Sequence, residues 1–294
     1  MLLSTQTDYL EKHFGMEKAV KILSQAGFDA LDLTMAQART GFHPLLCGDL
    51  EENAALLRSL AAQNGVVFNQ AHAPFPTSKT GDPVFNNAVH DAVLRAIRLA
   101  GLIGVKTVIV HPMQDLYYIE NKAATKAMNL EFYRSLAPAA KEAGVRICIE
   151  NMWQRSRSHQ QIIASACAAP QDFTEMLDTL ADDVFTACLD LGHCILVGES
   201  PAAMIRALGP RLGALHVHDN CSLDDDHTLP YLGAIHWDDV YEALAEVGYA
   251  GDFTFEADDF YMKFDPELAP DCARFLCAVG RRMIRGIEAA KKAL

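Results

Sequence analysis

Apolar positions along this chain follow two alternating rhythms. Short runs rich in β-branched and aliphatic residues recur over 2–6, 30–34, 66–72, 106–111, 145–150, 184–190, 213–218 and 252–256. Each reads as a largely buried strand. Between them lie stretches with apolar residues at helical spacing, over 16–26, 50–62, 87–99, 130–143, 171–180, 202–208, 237–247 and from 266 onward. Gly27, Gly65, Gly104, Gly144 and Gly248 stand just before strands, where a left-handed residue closes a helix. Strands alternating with helices imply a parallel α/β sheet, and eight such units imply a (β/α)8 TIM barrel, expected as one domain over residues 1–294. An open doubly wound sheet is the alternative. The longest irregular stretches, 74–83, 153–158 and 219–236, all follow strands and are expected at one end of the barrel.

Composition narrows the class. The 294 residues are 50% apolar and 21% charged, the balance of a soluble globular protein with a large core. With 38 acidic against 25 basic residues the net charge is -13, which repels a polyphosphate backbone, so no nucleic acid partner is expected. Some of that acidity fits a carboxylate-rich site for cations. The 8 cysteines are scattered without a C-x-x-C pair, and residues 1–8 lack the basic and apolar regions of a signal peptide. Reduced thiols in a cytoplasmic protein are therefore expected. No apolar run approaches the roughly 18 residues needed to cross a bilayer. Acidic barrels commonly pair, which leaves a homo-oligomer open.

The strands also carry candidate chemistry, because alternate side chains point to opposite faces. In 145–150, Val145, Ile147 and Ile149 share one face, whereas Arg146, Cys148 and Glu150 share the other. Val108 and Val110 oppose Thr107, Ile109 and His111, and Phe253 and Phe255 oppose Thr254 and Glu256. The greasy face meets the helices, so the polar face points into the barrel. The polar residues close their strands, at the end where barrels keep active sites. Collected there are His72, His111, Glu150, Asp190, His216 and Glu256, with His193 in the next turn and His218 in phase with His216. So many buried ionisable groups cost several kcal/mol each unless paired or bound to a cation. A divalent metal ion (Mn, Zn, Co, Mg or Fe) resolves the conflict, and mixed His and carboxylate ligands do not choose among these.

In this order the motifs Gln70-Ala71-His72-Ala73-Pro74, Val110-His111-Pro112, Ile149-Glu150-Asn151-Met152, Leu189-Asp190-Leu191-Gly192-His193, His216-Val217-His218-Asp219-Asn220, Asp225-Asp226-His227 and Phe255-Glu256 resemble the xylose isomerase-like barrel superfamily. That superfamily includes sugar-phosphate isomerases and epimerases and endonuclease IV. The resemblance implies one metal held by Glu150, Asp190, His216 and Glu256, with Glu150 and Glu256 doubling as acid and base on opposite faces of a sugar. Endonuclease IV carries three metals, using also the equivalents of His72, His111, His193, Asp225 and His227. In the sugar enzymes the extra histidines contact substrate instead, which casts His72, His111, His193 and His227 as substrate-binding residues. Pro230-Tyr231-Leu232-Gly233 and His236 depart from the family pattern, leaving Asp224 and Asp226 as alternatives to Asp225.

The expected activity is metal-dependent isomerisation or epimerisation of a small sugar, sugar derivative or sugar phosphate, by proton transfer beside a metal-bound carbonyl. His193 would steady charge developing on oxygen. Dehydration of a cyclic polyol, as in inosose dehydratases, and endonuclease IV-like hydrolysis are the alternatives; no basic stretch with interleaved aromatics supports the latter. A non-catalytic binding barrel is the bland reading. Trp153 is a candidate to stack on a sugar face or to close its loop. Arg155 and Arg157 are read as solvated, Cys148 and Cys188 as small core fillers, and Tyr117, Tyr118 and Phe132 as packing or loop residues.

Overall fold

The computed structural model describes residues 1–36, 41–158 and 161–294. Ten strands form in chain order: β1 Leu3–Gln6, β2 Ala30–Thr34, β3 Val67–His72, β4 Thr107–Ile109, β5 Arg146–Glu150, β6 Trp153–Arg155, β7 Ile162–Ala164, β8 Phe185–Asp190, β9 Leu212–His216 and β10 Phe253–Phe255. Eight of them make one parallel sheet in the order β10-β1-β2-β3-β4-β5-β8-β9. The two ends meet. Val217 N–H donates to Thr254 O at 2.9 Å and Glu256 N–H to Val217 O at 3.1 Å, closing the barrel.

Eleven α-helices accompany the sheet: α1 Asp8–Phe14, α2 Met16–Ala26, α3 Leu50–Asn64, α4 Pro83–Leu102, α5 Tyr118–Ala143, α6 Pro170–Leu180, α7 Leu191–Leu196, α8 Pro201–Leu208, α9 Trp237–Glu246, α10 Asp258–Met262 and α11 Ala269–Ala293. The alternation read from the sequence holds on both faces. Val108, Val110, Ile147 and Ile149 join the large core shared with the helices. Ile109, Cys148, Cys188 and Ala214 form a separate small cluster of inward-facing residues. Small residues suffice there because four strands contribute to one narrow layer. The five glycines before strands all have positive φ, and Gly27, Gly65 and Gly144 close α2, α3 and α5 in the left-handed region.

Three differences from expectation have physical causes. Helix α5 begins at Tyr118, well before residue 130, because Thr125 and Asn129 occupy core-facing positions and hide the apolar period. Asn129 is satisfied there by the backbone of Met113, donating to its O at 3.0 Å and accepting from its N at 2.7 Å. Helices α1, α7 and α10 have 7, 6 and 5 residues, too few to show a period. The stretch 153–158, expected to be irregular, instead starts a hairpin in which β6 pairs antiparallel with β7. Among the described residues no helix is long and apolar enough to cross a membrane.

Candidate active site

Glu150, Asp190 and His216 are the last residues of β5, β8 and β9, and Glu256 follows β10 directly. One ligand atom from each lies within 4.8 Å of the others. His216 Nδ1 stands 3.1 Å from Glu150 Oε1 and 2.6 Å from Glu256 Oε2. Glu150 Oε2 and Glu256 Oε2 are buried, and each meets a histidine ring, His111 Nε2 at 2.9 Å and His216 Nδ1 at 2.6 Å. Three carboxylates forced together are unfavourable unless positive charge, on a histidine or on a metal ion, joins them. The donor set of one imidazole nitrogen and three carboxylate oxygens fits a divalent metal ion.

Electrostatics follow from this crowding. Burial alone would raise the Glu150 carboxyl, but cationic His216 and the hydrogen-bonding His111 ring hold it well below the usual range. Burial likewise opposes ionisation of Glu256, and His216 outweighs it, lowering its pKa. His216 is raised well above its ordinary value despite burial, through Cys188, Glu256 and Glu150. Its proton occupies the place a metal would take, so metal binding there releases it.

Three of the four candidate ligands, Glu256, His216 and Asp190, are braced from behind, the arrangement that orients ligands and tunes a metal. Gln6 Nε2 donates to Glu256 Oε1 at 2.7 Å, leaving Oε2 to face His216. Gln70 Nε2 donates to Asp32 Oδ2 at 2.7 Å and lies 3.0 Å from His216 Nε2. Asp32 Oδ1 is also 3.0 Å from His72 Nδ1. Asp190 accepts from His193 N at 2.6 Å, capping α7, while Asn151 holds its backbone on both sides. His218 Nε2 sits 3.0 Å from both Asp190 oxygens.

A cavity of about 500 Å³ opens above this centre. Glu150, Glu256, His72, His111, His193, Trp153 and His227 all line it, whereas Asp190 and His216 are fully buried and do not. His111 Nε2 is 2.9 Å from Glu150 Oε2, and His72 Nε2 is 3.8 Å from Glu256 Oε1. On the far side Asp225 Oδ2 accepts from Trp153 Nε1 at 3.0 Å and meets His193 Nε2 at 3.2 Å and His227 Nε2 at 3.1 Å. His193, His218, Asp225 and His227 thus form a second group with ligand atoms within 4.8 Å, and Asp225 Oδ1 has no partner. Burial would lower the His193 pKa, but Asp190 and Asp225 keep the ring protonated, raising it to about 10.

Asp225, rather than Asp224, therefore faces the site: Asp224 points away and pairs with Arg155 at 2.7 Å. Arg155 and Arg157, read as solvated, are exposed, and each also stands over a ring, Arg155 over Trp153 at 5.6 Å and Arg157 over Tyr117 at 4.7 Å. Sequence reasoning passed over Asp32, Gln6 and the bracing role of His218. The signal for Asp32 was available, since it interrupts Leu31 and Leu33 with a carboxylate on the inward phase.

Comparison with known proteins agrees with this architecture. Residues 20–278 match the family model described as xylose isomerase-like TIM barrel. A D-psicose 3-epimerase from Ruminiclostridium cellulolyticum is 26% identical over 248 residues, 82% of this chain and 76% of that protein. The crystal structure of a D-psicose 3-epimerase in the presence of D-fructose superposes with TM-score 0.74 at 18% identity, covering 96% of this chain and 99% of the other. The apo 3-keto-D-glucoside 4-epimerase of E. coli superposes with TM-score 0.67 at 14% identity, covering 95% and 99%.

Proposed function

The chain belongs to the xylose isomerase-like TIM barrel family, and from that premise we propose that it is a divalent-metal-dependent epimerase or isomerase of a small keto sugar. The observation that carries this reading is the convergence of Glu150, Asp190, His216 and Glu256, one ligand atom of each within 4.8 Å of the others. The D-psicose and 3-keto-D-glucoside epimerases among its relatives act on substrates of this class.

A cation held by these four residues would polarise the sugar carbonyl and acidify the neighbouring C–H. Glu150 and Glu256 supply the proton transfer. Both carboxylates line the cavity, unprotonated at neutral pH, and each is poised to take a proton and pass one back. Gln6 fixes Glu256 through its other oxygen, so the reactive oxygen keeps its direction. Protonated His193 supplies positive charge beside Glu150, 3.6 Å away, where negative charge on a sugar oxygen would need support. The Trp153 edge, anchored on Asp225, closes one side of the cavity.

Deuterium exchange into a ketose panel tests the assignment. Wild-type protein is expected to exchange the proton next to the carbonyl, whereas Glu150→Gln and Glu256→Gln each lose interconversion. Full exchange in both variants sinks the roles assigned here.

A second reading draws on the group His193, His218, Asp225 and His227, whose donors equally suit a metal. A hydrolase with several metals would use it, yet the net charge of -13 disfavours a nucleic acid substrate. Three metals per chain with cleavage at abasic sites would favour that reading over ours.

A further inference from the structure

Beside the metal pocket lies a second cavity of about 420 Å³, built from residues 75–80 after β3 and 112–115 after β4. Each cavity is within the roughly 300–1,000 Å³ of small-ligand sites. Phe75 and Gln114 line both, so the two share one wall. The Phe75 ring is 4.6 Å from the His111 ring, and Gln114 Nε2 donates to Trp153 O at 3.4 Å. The divide between the cavities is therefore made from residues that also frame the metal pocket. A molecule that occupies both cavities would have to pass the Phe75–Gln114 divide.

The lining of this second cavity tells what it accepts. Thr77 and Ser78 are only 3% and 6% exposed, and neither hydroxyl oxygen has a partner. Buried hydroxyls left unpaired are uncommon, and a ligand offering its own hydroxyls satisfies them. Phe75, Pro76 and Pro112 provide flat apolar faces. Among the described residues the lining has one cation, Lys79, and one anion, Asp115, and Lys79 Nζ is already 3.2 Å from Asp82. With no spare positive charge and a net charge of -13, a phosphoryl group finds little attraction. Apolar faces alternating with hydroxyls match a pyranose ring.

We propose that the physiological substrate is a keto sugar bearing a glycosyl substituent, whose second ring occupies the Phe75–Gln114 side cavity. This rests on the epimerase reading above for the reacting ring. The metal-loaded protein is assayed for exchange with fructose, fructose 6-phosphate and the glucosyl-fructoses maltulose and isomaltulose. At least one disaccharide is expected to exceed fructose in kcat/KM by about tenfold or more. In Ser78→Trp, which fills the cavity, and in Thr77→Val/Ser78→Ala, which removes its hydroxyls, that ratio falls toward one. A preference for the phosphate, equal rates for fructose and both disaccharides, or a ratio unmoved in both variants overturns the proposal. Calorimetric titration of maltulose and isomaltulose into Glu256→Gln separates the two readings. Binding that disappears in Ser78→Trp while no sugar exchanges would overturn the epimerase reading and keep the glycosyl site; absence of binding by either would overturn the site.

Discussion

Replacing Gly192 with Ala puts the bracing of Asp190 to a direct test. A Cβ at this position would lie 2.1 Å from His218 Cε1 and 2.6 Å from both ring nitrogens, where ordinary contact is 3.4–4 Å. The ring must retreat by more than about 1 Å, beyond what tight packing absorbs without strain. His218 is fully buried and stacks on His227 at 4.1 Å, so it has little room to yield. Its Nε2 is 3.0 Å from each Asp190 oxygen, and such a shift breaks that contact. Overpacking costs about 1–3 kcal/mol, and stranding a buried carboxylate adds about 1–3 kcal/mol. A chain of this length loses roughly 2–4 °C in Tm per kcal/mol, so a fall of about 4–24 °C is expected. Losing an outer partner of a ligand also weakens metal binding by about 10–100-fold. Calorimetric melting without metal and titration with Mn2+ read the two effects separately. The cycle with His218→Ala isolates the cause: once the ring is gone, Gly192→Ala should cost almost nothing more. A full additional penalty in the double variant, or a single variant neutral in both measurements, refutes the reasoning.

Three further outcomes follow from the same geometry. Burial and the neighbouring Asp8 push the Asp258 carboxyl from 3.8 up to about 8, so its neutral form stabilises the fold at low pH and the penalty for ionisation grows as pH rises through that range. Asp258→Asn keeps an acceptor for the Tyr9 N–H and should raise Tm more at pH 9 than at pH 5; an equal gain at both would refute the shift. The Asp219 carboxylate accepts from the N–H groups of Asn220, Tyr231 and Ile235 and from Trp237 Nε1, at 3.0–3.2 Å. Asp219→Ala strands these donors and should destabilise by about 3 kcal/mol or more, with proteolysis concentrated in 219–236; an unchanged digestion pattern would contradict that role. Chelation should lower Tm, and Mn2+ at a hundred times its Kd should restore about 2.7 kcal/mol. A melting curve indifferent to chelator and metal would remove the cation from the site.

The fold was legible because its two periods differ. A run such as 145–150 sorts Ile147 and Ile149 from Cys148 and Glu150 by phase alone, and the structure places Ile147 and Ile149 in the helix-facing core and Cys148 in the inner cluster. Phase also shows which residues point inward at the rim, and His72, His111, Glu150 and Glu256 among them line one cavity. Partners are less legible, because they come from strands far apart in the chain. Nothing local in β1 says that Gln6 will meet Glu256, 250 residues away, or that Asp32 will face His72. The hairpin of β6 and β7 escaped for a different reason: three-residue strands leave too little alternation to read.

Register is the deeper reason the site needs a structure. Side chains alternate with period two, so a one-residue slip between neighbours turns an inward pair into an inward–outward mismatch. From Ala187 opposite Leu212, simple counting would set Asp190 against Leu215, which packs in the helix-facing core. A bulge after Ala187 absorbs Gly213 instead, and Asp190 comes level with His216. Gly213 fits this role because a Cβ would stand 2.4 Å from Thr186 Oγ1. The same device acts between β2 and β3, where the register shifts after Leu31 and passes over Asn69. Asp32 thereby lies opposite Gln70, whose amide reaches on to His216. Two local irregularities thus set the heights at which a candidate ligand and its brace meet. The periodic part of the sequence supplies inward-facing groups, and the interruptions decide which of them share a level.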